Sequence, residues 1–199
     1  MNEQIDFLAI GDIVTDAFIK IKDATVNCDV DHHNCKLSLR FGDKVPYESV
    51  EEVRAVGNSA NAAVSAARLG VSSALIANVG KDSHGQNCID ELKKNGVITS
   101  HIGIHEGMHT NYHYVLWYDV DRTILVKHEH FPTSFPKDIQ TPKMIYLSSL
   151  GEGTEDFHEE IMKYVVEHPE VKLVFQPGTF QMKMGIEKLK DIYKNTYAF

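Results

Sequence analysis

Positive charge is in short supply. The 199 residues carry 20 Lys and Arg against 28 Asp and Glu, for a formal charge of −8, and the basic residues form no stripe. A nucleic-acid partner held by phosphate neutralisation is therefore disfavoured, and a small-molecule partner fits better. Long apolar runs are also missing; none approaches the length that crosses a bilayer, which argues against a membrane span. The opening residues Met1-Asn2-Glu3-Gln4-Ile5-Asp6 are acidic and lead straight into a strand-like segment. A secretory signal needs a basic start and a longer apolar stretch, so the expectation is a cytoplasmic protein. Cysteine is sparse. Cys28, Cys35 and Cys88 cannot all pair with one another, and no CxxC occurs, so free thiols in a reducing compartment are expected. Low-complexity linkers and internal repeats are absent.

What is present is an ordinary globular composition, 43% apolar and 24% charged, in a chain long enough for one sizeable core. Phe7-Leu8-Ala9-Ile10, closed by Gly11, reads as a buried strand of a parallel sheet. From Asp16 to about Val53 the pattern changes: 17–22 and 36–41 alternate like strands with one wet face, and a polar stretch, 27–34, separates them. This region reads as an antiparallel flap. Ala60, Ala63, Val64 and Ala67 then recur at helical spacing, with Gly70 placed to end the helix. Residues 74–79 form a second buried strand. Ser83 to Gln86 has capping-box spacing before Ile89 and Leu92, and Asn95-Gly96 ends that helix.

A second flap-like unit follows, with β-rich runs at 112–118 and 123–127 around a hairpin at 119–122. Residues 144–148 and 171–175 are further strands. Thr154 is placed to cap a helix carrying Phe157, Ile161, Tyr164 and Val165, and Ile186, Leu189, Ile192 and Tyr193 line a last one. This alternation implies βαβ units and a mostly parallel sheet. The apolar tail Tyr197-Ala198-Phe199 falls where another strand would begin, so the sheet looks cut there.

Ligands of open α/β sheets bind outside the carboxyl ends of the strands. Two segments fall at such places: Gly11 to Asp16, leaving the first strand, and Val56-Gly57-Asn58-Ser59-Ala60-Asn61, opening the first helix. Glycine lets backbone approach a ligand, and a helix N-terminus offers unpaired N–H donors. A carboxylate converging with an amide suits vicinal hydroxyls, because Asp accepts hydroxyl protons while Asn both donates and accepts. Taken singly these residues have plainer uses: Asp16 suits a turn, and Asn58 or Ser59 an ordinary helix cap.

Together the pieces resemble a known family. Gly57-Asn58-Ser59-Ala60-Asn61-Ala62-Ala63, Arg68-Leu69-Gly70 and Val79-Gly80-Lys81-Asp82-Ser83-His84-Gly85 resemble the N-terminal signature of the ribokinase/PfkB carbohydrate kinases. Gly11 to Asp16, Asn95-Gly96-Val97, Arg122-Thr123-Ile124-Leu125 and Gln176-Pro177-Gly178-Thr179 fall in the family's order. The resemblance covers essentially the whole chain. It implies a ribokinase-like α/β fold: a mostly parallel sheet flanked by helices, with a small antiparallel β lid from segments near 17–55 and 108–130. All 199 residues would be the N-terminal portion of one such domain. The implied activity is transfer of the ATP γ-phosphate, with Mg²⁺, to a hydroxyl of a sugar or nucleoside. Asp16 and Asn61 would bind substrate hydroxyls, Gly57 and Asn58 would line the same pocket, and the lid would exclude water.

Departures narrow what can be carried over. Val56 replaces the first glycine of the usual pair, and Val14 stands where sugar-specific relatives often have a polar residue. These leave the acceptor open between a sugar and a nucleoside. The family's Gly-Ala-Gly-Asp anion-hole motif and its Asn-x-x-Glu motif do not occur, no Walker A replaces them, and catalytic residues are expected beyond residue 199. The chain alone is expected to be inactive. The alternatives are a non-catalytic sugar-binding domain and, more weakly, a nicotinamide-binding Rossmann protein, for which no GxGxxG follows the first strand.

Several other features have plain readings. His32, His33 and Cys35, with Asp29 and Asp31, match no zinc spacing and read as a polar flap loop. His128-Glu129-His130 reads as the end of an exposed strand, and Asp121 and Arg122 as hairpin-turn residues. The Tyr112-Tyr114-Trp117-Tyr118 cluster reads as lid packing or a stacking surface. An exposed lid sheet suits homodimer formation.

Overall fold

The computed structural model describes residues 4–31 and 33–199. In chain order the first elements are β1 (Phe7–Ile10), β2 (Val14–Ile21), β3 (Thr25–Asn27), β4 (Lys36–Ser38), β5 (Tyr47–Val56), α1 (Asn58–Arg68), β6 (Ser73–Gly80) and α2 (Ser83–Lys94). They are followed by β7 (Ile102–His105), β8 (Tyr112–Tyr118), β9 (Asp121–Leu125), β10 (Met144–Leu147), α3 (Glu155–Glu167), β11 (Lys172–Phe175), α4 (Thr179–Met184), α5 (Lys190–Asn195) and β12 (Thr196–Ala198). The chain divides into two compact units. One comprises residues up to Val14, Arg54–Asn111 and His128–Phe199, and the other Thr15–Val53 and Tyr112–Lys127.

The first unit is built on a six-stranded parallel sheet in the order β12-β11-β10-β1-β6-β7. Successive side chains of a strand point to opposite faces, and both faces of β1 are covered. Leu8 and Ile10 pack with Phe157, Ile161 and Val165 of α3 and Ile192 of α5. Ala9 joins the other layer, with Ala60 and Ala63 of α1 and Cys88 and Leu92 of α2. That is why the strand reads as an unbroken apolar run. Each Leu, Ile or Phe taken fully from water contributes roughly 1.5–3 kcal/mol.

The second unit contains a four-stranded sheet, β5-β2-β8-β9, and the two-stranded hairpin β3-β4. β2 and β8 run parallel, whereas β8-β9 and β3-β4 are antiparallel. Val115 is fully buried here, while Tyr47, Val50, Tyr114, Trp117 and Ile124 are exposed. Tyr112 Oη donates to Glu52 Oε1 at 2.6 Å; burial and this carboxylate push the phenol up to about 12.

Several expectations are corrected. The strands β5 and β7 are absent from the reading of the sequence: β5 is almost wholly exposed and so lacks an apolar signature, and β7 is only four residues long. The helix α2 is capped by Asp82 rather than Ser83, because the Asp82 carboxylate accepts the Gly85 N–H at 2.8 Å. The last expected helix is shorter than its apolar spacing implies: α5 begins at Lys190, so Leu189 precedes it and Ile186 lies exposed outside it, while α4, ended by Gly185 (φ +83°), was not expected. The β8-β9 turn is at Asp119-Val120, with Asp119 at φ +54°, so Asp121 and Arg122 lie within β9.

The free-thiol expectation is also corrected: Cys28 and Cys35 form a disulfide, and Cys88, which is buried, stands outside it. Pairing of Asn27 with Lys36 in β3-β4 places the next residue of each strand opposite the other, with Cα atoms 4.0 Å apart. Cysteine count carries no trace of that register. Within the loop so closed, Asp29 accepts from His33 N at 2.9 Å and Asn34 Nδ2 at 2.7 Å, and these bonds hold its carboxyl below the usual range. His32 of the same loop lies outside the described residues.

Candidate active site

The chain runs from β1 to β6 and β7 on one side and later returns to β10, β11 and β12 on the other. The order therefore switches at β1 and β10, and a ligand crevice is expected outside their carboxyl ends. Two turns meet there. Asp12 N donates to Ser149 O at 3.1 Å, joining the turn after β1 to the one after β10, and Ser148 N donates to Ile10 O at 2.9 Å.

The glycine-rich turn stands against the same place. Gly57 is the N-cap of α1 at φ +117°, a left-handed conformation, and a Cβ added to it would stand 2.7 Å from Asp12 O. Both facts require glycine. Neither Asn58 nor Ser59 caps the helix: they are its first two residues, and Ser59 Oγ instead donates to Asp12 O at 3.1 Å. Asn61 N closes the first turn onto Gly57 O at 2.9 Å. The side chains of Asn58 and Asn61 are exposed. Gly57, Asn58 and Asn61 are thus brought together in the first unit, beside the end of β1.

Asp16 belongs to the second unit. It is paired in register with His113 across β2 and β8, and its Oδ1 lies 3.3 Å from His113 Nδ1. Both side chains are mostly covered, at 20% and 12% exposure.

Two further groups line the strand ends of the first unit. His128 is not on a strand, contrary to the sequence reading; it is half-buried, with Nδ1 3.7 Å from Asp12 Oδ2. Beyond β11, Gly178 N donates to Gln181 Oε1 at 2.6 Å, so the Gln181 amide nitrogen is left to donate. It reaches Ser148 O at 2.8 Å and His158 Nε2 at 3.0 Å. His158 Nδ1 in turn donates to Thr154 O at 2.6 Å. This fixes one neutral tautomer, and burial pushes the imidazole pKa below its ordinary value. Tyr146 Oη bonds Gln176, in the turn that follows β11. The Gln181–His158 network ties the ends of β10 and β11 to α3 without charge.

Sequence reasoning missed His113, His158 and Gln181 and read His128 only as the end of a strand. A lone His carries no spacing signal, and only pairing across strands or helices gives each a partner. Among the described residues no group of three or more His, Cys, Asp and Glu is placed to hold a metal ion.

Solved structures with this architecture include sugar and nucleoside kinases. The nucleoside kinase of Methanocaldococcus jannaschii superposes with a TM-score of 0.71 at 16% identity, over 98% of this chain and 60% of that one. The Arabidopsis thaliana ribokinase complexed with ribose and ATP gives 0.70 at 15%, over 87% and 53%. The Halothermothrix orenii fructokinase gives 0.61 at 21%, over 86% and 56%. At these identities the likeness defines the fold. The family model described as pfkB family carbohydrate kinase matches residues 20–189, and the chain belongs to that family. No curated protein matches it in sequence. The chain spans little more than half the length of these solved relatives.

Proposed function

We propose that this chain is the acceptor-binding part of an ATP-dependent kinase that transfers the γ-phosphate to a hydroxyl of a sugar or nucleoside. The supporting observation is the glycine-rich turn Gly57–Asn61 seated at the carboxyl end of β1, at the switch point of the sheet, in a member of this family. In this reading Asp16 and Asn61 would bind substrate hydroxyls, and Gly57 and Asn58 would take part in acceptor binding. ATP with Mg²⁺ would supply the phosphoryl group and the charge that stabilises its transfer. The described residues make no metal cluster and the sequence has neither Gly-Ala-Gly-Asp nor Asn-x-x-Glu, so the groups present do not fit the nucleotide and its cation. Those groups would lie outside these residues, and the 199-residue chain would bind acceptor without phosphorylating it. The absent motifs also favour a second reading, a sugar-binding domain without catalysis.

Among the described residues no helix is long and apolar enough to cross a membrane. The exposed Tyr47, Val50 and Trp117 suit pairing of two lids in a homodimer.

Thermal-shift and calorimetric screens of pentoses, hexoses and nucleosides test the proposal. Binding of a polyol that Asp16→Ala removes supports it, whereas a chain indifferent to every one would sink it. A Mg²⁺-dependent shift with ATP would overturn the assignment of the nucleotide to other residues.

A further inference from the structure

The β3-β4 hairpin has little to hold it. Each strand is three residues long, and the ladder pairs Thr25 with Ser38, Val26 with Leu37 and Asn27 with Lys36. A two-stranded hairpin of this size is marginal in water without packing or a cross-link. Its packing is thin: Leu37 is half-buried, and the other residues of the ladder are exposed. Two cavities flank it within the second unit. One, of about 200 Å³, is lined by Val26, Cys35 and Leu37 of the hairpin region and by Leu116, Tyr118 and Arg122 of β8 and β9. The other, of about 390 Å³, is shared by Thr25, Ser38, Pro46 and Tyr118. The hydrogen bonds from His33 N and Asn34 Nδ2 to Asp29 are exposed, and water competes for them. The Cys28–Cys35 bond is thus the firmest link across the hairpin. Both cysteines are exposed, so an incoming thiolate can reach either sulfur.

The hairpin is also continuous with the strand that carries Asp16, since only residues 22–24 separate β2 from β3. β8 pairs with β2 from Tyr112 to Trp117. It sets His113 beside Asp16 at one end and lines the hairpin cavity with Leu116 and Tyr118 at the other.

We propose that Cys28–Cys35 is a thiol-exchange site, opened by a low-molecular-weight monothiol such as glutathione, whose opening releases the hairpin and weakens acceptor binding at Asp16. The last step rests on the acceptor-binding reading above; the exchange does not. A glutathione thiolate attacks one cysteine sulfur, the S–S bond breaks, and the other sulfur leaves as a thiolate that takes a proton from water. A second glutathione thiolate attacks the glutathione sulfur of the mixed disulfide and expels the remaining cysteine. Two glutathiones become one glutathione disulfide, and their two electrons leave two thiols on the protein. Excess glutathione disulfide runs the exchange backwards. With the bond open, three ladder pairs do not outweigh the chain entropy of residues 25–38, and the hairpin frays. Disorder at the end of β2 then becomes an ordering cost that acceptor binding must meet. A fixed structural staple would instead stay closed in every glutathione mixture.

The folded 199-residue chain would be equilibrated in buffers running from glutathione disulfide alone to reduced glutathione alone, then alkylated and mapped by mass spectrometry. Cys28 and Cys35 should pass from unlabelled to labelled within that range and return when glutathione disulfide is restored. A bond that stays closed throughout, or opens only as circular dichroism reports global unfolding, overturns the proposal. Hydrogen exchange should show amides of 25–38 losing protection on opening while those of β1 and β6 keep theirs; unchanged hairpin protection overturns the release. The double variant Cys28→Ser, Cys35→Ser should reproduce the opened form. If it does not fold, the opened chain blocked with iodoacetamide takes its place. Calorimetry with D-ribose, D-fructose and adenosine reads the last step, where the closed chain should bind about fivefold or more tightly than the opened one. Equal affinity in both forms removes the coupling to Asp16. If the closed chain binds none of the three, the acceptor-binding reading fails, while labelling and hydrogen exchange still decide the thiol site.

Discussion

Asp16 on β2 and His113 on β8 are register partners, and their side chains meet at 3.3 Å with only 20% and 12% exposure. Each strand supplies a polar group at a position where alternation would accept an apolar one. If Asp16 grips substrate hydroxyls, Asp16→Ala should abolish polyol binding in calorimetry while far-UV circular dichroism is unchanged. Undiminished affinity in a folded variant removes Asp16 from the site.

Gly57 is constrained twice, by φ +117° and by the Asp12 carbonyl 2.7 Å from where a Cβ would sit. Gly57→Ala should cost about 1–3 kcal/mol from backbone strain alone. Urea denaturation reads this directly, and polyol affinity should fall with it because the turn must shift.

His158 is buried and neutral, its pKa lowered first by loss of solvent. The unfolded chain takes up its proton near the ordinary value of about 6.5, the folded chain only at lower pH. Stability from this group is thus complete above about 6.5 and declines as pH falls through the folded pKa. Denaturant midpoints from pH 7.5 to 5 should show the decline, and His158→Gln should flatten it. An identical slope in the variant would assign the effect to another group.

Asp82 accepts from Gly85 N at 2.8 Å, Thr110 N at 2.9 Å and Thr110 Oγ1 at 2.6 Å. Burial alone would raise its pKa, but these donors outweigh it and hold the carboxyl below the usual range. Asp82→Ala should cost about 1–2 kcal/mol, as the loss of a helix cap does. The comparison belongs near neutral pH, since stability from a depressed carboxylate is present above its unfolded pKa and lost as acid protonates the folded form.

The Cys28–Cys35 bond can be counted. Thiol titration of the denatured, unreduced protein should find one thiol, that of Cys88, and three after reduction. Reduction should destabilise the β3-β4 hairpin by about 2 kcal/mol, the chain-entropy value for so short a loop. Three thiols without reduction would return the protein to the free-thiol expectation.

The sequence alone determined the layered α/β plan, because burial on both faces writes continuous apolar runs such as Phe7–Ile10 and one-sided helices such as Asn58–Arg68. It also placed Gly57 at the entry to the first helix, since a backbone conformation open to glycine and a local helix start are encoded within a few residues. Tertiary structure decided the rest. The exposed strand β5 exists only through its sheet neighbour, and Cys28 meets Cys35 only through strand register. Asp12 meets His128, and Gln181 meets His158, across more than twenty residues of intervening chain. Hydrophobic period is a local property that a window of sequence reports. Which polar groups share a site depends on how distant segments close upon one another, and that is set by the packing of the whole unit.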